Sequence, residues 1–189
     1  MRAVVAVYDA CVLFPPSLRD LLVWLSISGA CRARWTDAIH EEWIRGVLAN
    51  RPNVKRSSLD RCRQLMDASV PDSLIVGYEE LIPTLTLPDP DDRHVLAAAI
   101  HGGADGIVTF NLKDFPSSVL DAYGIEAIHP DEFVVRLLES SPESVCFAVR
   151  SQRELLKCPP KTVAEHAGTL AGVGLTQTAL ALQSFADAI

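Results

Sequence analysis

Leu87–Phe115, LPDPDDRHVLAAAIHGGADGIVTFNLKDF, is the stretch whose reading decides the fold. It opens with Asp89, Asp91 and Asp92, then turns apolar at helical spacing through Val95, Leu96, Ala98, Ala99 and Ile100. Gly102 and Gly103 end that helix, and Ile107-Val108-Thr109 reads as a short buried strand followed by Asn111, Lys113 and Asp114. A carboxylate at a helix start and another past a strand end is how an α/β fold gathers acids at one edge of a parallel sheet. Acids gathered in this way repel one another unless a cation sits among them, so the stretch predicts a metal site.

The rest of the chain repeats the alternation. Ala3–Tyr8 is a β-rich apolar run, the pattern of a central strand, and Asp9 follows it directly. Pro15-Pro16 forces a turn, Ser17 is the expected N-cap of a helix over Leu18–Ser28, and Gly29 stops it. Cys31–Trp35 reads as a second strand. Thr36 caps the next helix, which runs through Ile39, Trp43, Val47 and Leu48 and carries Glu41 and Glu42. Leu59–Ala68 is expected to be helical, Leu74–Val76 is ambiguous, Ile125–Ile128 reads as a last strand and Asp131–Leu138 as a helix after Pro130. Strands alternating with helices give an α/β class with a parallel sheet. From Pro142 the strands cease. Helical segments on either side of Cys158-Pro159-Pro160, and a third near Leu175, predict a C-terminal helical extension over residues 139–189 on a domain of residues 1–138.

Composition narrows the class. With 49% hydrophobic residues in 189, the chain can bury a substantial core. Its net charge of −7 means that nucleic acid would be met by local basic patches or bridging cations rather than by overall attraction. Cys11, Cys31, Cys62, Cys146 and Cys158 are scattered without a Cys-x-x-Cys pair, which fits a reducing cytoplasm and not a disulfide framework or zinc knuckle. The N-terminal apolar run is too short for a signal sequence, and no later stretch approaches a membrane span.

Asp9, Glu42, Asp92 and Asp114 are the acids such a fold could bring together, with Asp9, Asp92 and Asp114 as candidate metal ligands. Oxygen donors of this kind suit Mg²⁺ or Mn²⁺. A helix N-terminus favours the charge of Asp92 by roughly 0.3–1 kcal/mol. Glu41 and Asp91 are the alternatives to their neighbours. Thr109 and Asn111 stand beside the later strand end as polar supports. Arg51–Arg63 is a basic stretch in which Arg51, Lys55 and Arg56, with Arg45 on the helix before it, are candidate phosphate-backbone contacts. As ordinary structure, a single Asp after a strand is a turn residue and one before a helix is a cap, and a basic stretch is a solvated face. The ordered set of acids is what carries the functional reading. His94 and His101 read as surface or packed histidines, Cys11 as buried packing, and Trp24, Trp35 and Trp43 as core.

The runs Val7-Tyr8-Asp9-Ala10-Cys11-Val12-Leu13, Ile39-His40-Glu41-Glu42-Trp43, Asp89 through Ala99 and Val108-Thr109-Phe110-Asn111-Leu112-Lys113-Asp114-Phe115 resemble the successive acid motifs of PIN-domain nucleases. The bacterial VapC-type ribonuclease toxins are the nearest subgroup. The resemblance spans about residues 1–138. It implies a PIN-like parallel sheet flanked by helices, a Mg²⁺ or Mn²⁺ site, cleavage of RNA to a 5′-phosphate and a 3′-hydroxyl, and a cognate antitoxin that blocks the site. Members of the family commonly dimerise, which makes a homodimer an expectation here. Carried across, Asp9, Glu42, Asp92 and Asp114 form the acidic quartet. Many relatives have an acid where this chain has Asn111, so the weight falls on Asp114.

Three rivals stand beside this reading. A haloacid-dehalogenase-type phosphatase needs Asp-x-Asp after its first strand, but Cys11 occupies the second position. A phospho-receiver needs paired acids at that strand end, which are missing. A catalytically silent PIN-like module that only binds RNA or protein would not need every acidic position filled.

Overall fold

A computed structural model describes residues 3–157 and 159–189. Cys158, at the break expected between two helical segments, lies outside the described residues. The elements are β1 (Val4–Tyr8), α1 (Ala10–Leu13), α2 (Pro16–Ile27), β2 (Cys31–Arg34), α3 (Asp37–Asn50), α4 (Arg56–Ser69), α5 (Arg93–His101), β3 (Gly106–Val108), α6 (Ser117–Leu120), β4 (Glu126–Ile128), α7 (Pro130–Ser140), α8 (Pro142–Leu155), α9 (Val163–Ala171) and α10 (Thr176–Ala181). The strands form one parallel sheet in the order β2-β1-β3-β4. The fold is therefore the α/β parallel sheet flanked by helices that the sequence predicts.

β1 is buried on both faces from Val5 to Tyr8, which is why its sequence is continuously apolar rather than alternating. The chain leaves β1 toward β2 on one side and later returns to build β3 and β4 on the other. The carboxyl ends of β1 and β3 thus meet where the direction of winding reverses, the place at which open α/β sheets bind ligands. Asp9 follows β1 and Thr109 follows β3. The backbone N–H of Asp9 donates to Val108 at 3.1 Å, and that of Thr109 to Ile128 at 3.0 Å, so both residues remain fixed to the sheet.

The helices are placed by identifiable sequence devices. Thr36 caps α3, its hydroxyl accepting from Ile39 N–H at 3.1 Å. Gly29 ends α2 at φ 78° and Gly103 ends α5 at φ 59°, while Gly102 before it leaves no room for a side chain, since a Cβ there would come within 2.7 Å of Ile75 Cδ1. Some expectations shift. Ser17 does not cap α2; the helix starts at Pro16, two residues before the expected Leu18, and the fixed φ of proline suits a first helical position. Asp91 and Asp92 lie in a 3₁₀ turn over Pro90–Asp92 and α5 proper begins at Arg93, while α4 begins at Arg56 rather than Leu59. Leu74 makes a single parallel bridge to Trp35 beside β2.

The C-terminal helices lie against the sheet domain. α8 packs on α2 and α7, and α10 on α7 and α9. Gln152 Nε2 of α8 donates to Ser17 O at 2.7 Å. Asp131 of α7 is buried, and its carboxylate accepts from Gln177 N–H, Thr178 N–H and Thr178 Oγ1, each at 2.8 Å, so it caps α10 from another helix. No helix among the described residues is long and apolar enough to cross a membrane.

Candidate active site

Asp9 is 3% exposed and sits at the N-cap position of α1, yet its side chain caps nothing. Its Oδ2 accepts instead from Thr109 Oγ1 at 2.6 Å and from Cys11 Sγ at 3.0 Å. Oδ1 accepts no hydrogen bond from the described residues. The Thr109 hydroxyl in turn accepts Asn111 N–H at 2.9 Å, and Cys11 Sγ accepts Phe110 N–H at 3.3 Å. These bonds tie the residue after β1 to the loop after β3 and fix which Asp9 oxygen faces outward. Burial, and then the Asp9 carboxylate, push the Cys11 thiol up to about 12, so it is held as the S–H that donates to Asp9. The expectation that Cys11 is mere packing is corrected on this point: it is half-buried and bonded to Asp9.

Asp92 stands across from this pair at the start of α5, half-buried, with no capping bond of its own. Burial, followed by the charges of Asp9, Asp89, Asp114 and Glu42, pushes its carboxyl up to about 7. Asp92 thus feels the charges of the other three acids named from the sequence. Asp114 is half-buried in the 3₁₀ turn over Leu112–Asp114, its N–H bonded to Asn111 O at 3.0 Å. Asn111 is exposed, and Asp91 is exposed with its N–H on Asp89 Oδ1.

Glu41 and Glu42 part ways. Glu41 pairs with Arg56 at 2.6 Å and Arg63 at 3.6 Å on α4, whereas Glu42 Oε2 lies 3.3 Å from His94 Nε2 on α5. His94 is thus neither a surface nor an idle packed residue. Its Nδ1 is buried without a partner among the described residues. The turn that carries Glu42 is held from below. Trp43 Nε1 donates to His40 Nδ1 at 3.0 Å, His40 Nε2 lies 3.0 Å from Asp67 Oδ1, and Trp35 Nε1 donates to the same oxygen at 2.8 Å. Because Nδ1 is an acceptor, Nε2 carries the proton and donates to Asp67. Arg19 stacks over Trp43 with its guanidinium carbon 4.4 Å from the ring centroid.

The donors fit a hard divalent cation in kind, being carboxylate oxygens with one buried carboxylate oriented by its neighbours and another whose ionisation is opposed by burial and then by like charge. Among the described residues no three His, Cys, Asp or Glu side chains lie close enough to enclose an ion directly.

A family model described as the PIN domain matches residues 6–113, over half of the chain. The chain belongs to the PIN-domain family. Within the PIN fold, Asp9 and Thr109 mark the two strand ends at the sheet's switch point. A second model, the VapC50 C-terminal domain, matches residues 130–184, from α7 through α10. A protein named "Putative ribonuclease VapC50" from Mycobacterium tuberculosis is 40% identical over 86 residues, 46% of this chain and 50% of that relative. The chain thus spans about half the length of the curated relative it matches. No solved structure matches it.

Two residues of this PIN site escaped sequence reasoning. Cys11 stands two positions beyond Asp9 in the first turn of a helix, which puts its side chain back toward the strand end; that spacing is the signal. His94 stands two positions beyond Asp92, but only the packing of α5 near Glu42 reveals its partner.

Proposed function

We propose that this PIN protein is a Mg²⁺- or Mn²⁺-dependent endoribonuclease, the toxin of a toxin–antitoxin pair. One observation supports the reading above the others: the Asp92 carboxyl is pushed up to about 7 by burial and then by the charges of Asp9, Asp89, Asp114 and Glu42. The printed name of the mycobacterial relative supports RNA as the substrate.

In this mechanism Asp9, Asp92 and Asp114 would hold the cation, directly or through its bound waters. Thr109 and Cys11 keep Oδ2 of Asp9 occupied and so turn Oδ1 toward the site. When bound, the cation supplies a lowered pKa for attacking water and neutralises charge on the scissile phosphate. Glu42, steadied by His94, orients the water and takes its proton. Arg45, Arg51, Lys55 and Arg56 are the proposed contacts to the RNA backbone. Arg56 is shared with Asp60 and Glu41, so Arg45, Arg51 and Lys55 bear more of this role. Residues 1–138 are the nuclease domain and 139–189 a helical extension fastened to it. The remaining elements of the reading are a cytoplasmic setting, an antitoxin that covers the acids, and a homodimer.

Controlled expression in bacteria, with mapping of new 5′-phosphate RNA ends, tests this. Growth arrest with discrete new ends, absent for Asp9→Asn and Asp92→Asn, is the expected result. Equal arrest and equal ends from both variants would remove Asp9 and Asp92 from the catalytic site. The silent binding module predicts no new ends from any of the three proteins.

A further inference from the structure

An open groove of about 620 Å³ runs between α1 and α3. It is lined in part by Cys11 and Glu42, so it is continuous with the acidic site. Beyond them the lining changes character. Phe14 is half-buried and lines the groove with its aromatic ring, approaching Gly46 so closely that a Cβ there would lie 3.4 Å from Phe14 Cδ2. Arg45 is exposed and makes no ion pair among the described residues. Asn50 also lines the groove; its amide donates to Gly46 O at 2.9 Å, which leaves its side-chain oxygen without a partner among the described residues. An aromatic face, a free guanidinium and an amide acceptor are the parts with which proteins hold a splayed single-stranded nucleotide: stacking, phosphate contact and reading of a base edge. The groove's size is in the range of a small-ligand site.

We propose that this groove is a nucleoside subsite, binding the base next to the scissile phosphate of single-stranded RNA and setting the base preference of cleavage. The proposal rests on the ribonuclease reading. Phe14 stacks on the base, Asn50 accepts from its edge, and Arg45 meets the next phosphate. Charge favours this occupant over a protein segment. In a chain of net charge −7, Arg45 puts an unpaired cation beside a groove that opens from a phosphate-cleaving centre.

Two variants of the full chain test it. Ala49 is exposed on α3 at the groove's edge, so Ala49→Trp fills the groove without entering the core. Phe14→Leu removes the stacking face and keeps an apolar side chain. Thermal melting verifies that each is folded. Affinity for fluorescent single-stranded RNA is measured by anisotropy in EDTA, and base preference by sequencing the cut ends of a randomised RNA with Mn²⁺. Each variant should bind roughly tenfold more weakly and lose base preference at one position adjoining the cut. Wild-type binding and unchanged preference in both variants overturn the subsite and leave the nuclease reading standing. Wild-type protein that neither binds nor cuts RNA overturns the nuclease reading, and the subsite with it. Variants that keep full RNA affinity but lose a co-purifying protein would make the groove a protein-docking face, and would also overturn the proposal.

Discussion

Thr109→Val tests the arrangement around Asp9 with the least change of shape. The Thr109 side chain is fully buried, and its hydroxyl both donates to Asp9 Oδ2 at 2.6 Å and accepts Asn111 N–H at 2.9 Å. Valine replaces that hydroxyl with a methyl of similar size. The lost bond to a carboxylate is worth about 1.5–3 kcal/mol, and the orphaned Asn111 N–H adds to the cost. Because Asn111 is exposed, water can recover part of that second term, and the sum is about 3 kcal/mol. Thr109→Ser keeps the hydroxyl and loses one buried methyl, for about 1 kcal/mol. Urea denaturation in EDTA measures both without a stabilising ion, and an unchanged m-value confirms that the shift in midpoint is a shift in stability. Cleavage by Thr109→Val should fall about 10–100-fold, the usual cost of losing a group that orients a metal ligand, while Thr109→Ser stays within a few-fold of wild type. A valine variant as stable and as active as wild type would refute the claim that this hydroxyl positions Asp9.

Other substitutions separate charge, packing and function. Asp92→Asn should abolish cleavage and yet raise stability in EDTA at pH 8: a carboxyl whose folded pKa is raised to about 7 is ionised there at a cost. After discounting for solvent screening of a half-exposed group, the gain is about 1 kcal/mol, read from the denaturation midpoint. His166 is buried with both ring nitrogens unpartnered among the described residues, and burial, then Lys161 and Arg153, bring its pKa down to about 4. The unfolded chain then takes up a proton between about pH 6.5 and 4 that the folded chain refuses, so stability falls as pH drops through that window. The fall should be about 2 kcal/mol and should vanish in His166→Leu, as followed by denaturation at stepped pH. Asp131→Ala removes the bonds that cap α10 and should cost about 3 kcal/mol, with early proteolysis of the C-terminal helices as the second readout.

What could be read from the sequence was what local chemistry determines. The apolar run of β1 can only be a buried strand, and Gly29, Thr36 and Gly102 punctuate the helices as their types require. The order of acids relative to strands and helices suggests Asp9, Glu42, Asp92 and Asp114 as one set, and the Asp92 carboxyl feels the charges of the other three. What escaped was set by partners distant in sequence. Ser17 is a good cap in isolation, but the preceding prolines start the helix first. Arg56 reads as a free cation, yet Glu41 on another helix engages it. Asp131 caps a helix 46 residues away, and Cys11 meets Thr109 across 98 residues. Such contacts follow from how helices lie on the sheet, which periodicity does not encode.

The most direct test of the metal-nuclease reading is cleavage of total RNA by the purified protein with Mg²⁺ or Mn²⁺, set beside EDTA and the Asp9→Asn variant. The account predicts discrete products that need the divalent ion and disappear in the variant. A folded, partner-free protein that cuts equally well in EDTA, or in which Asp9→Asn matches wild type, would contradict it.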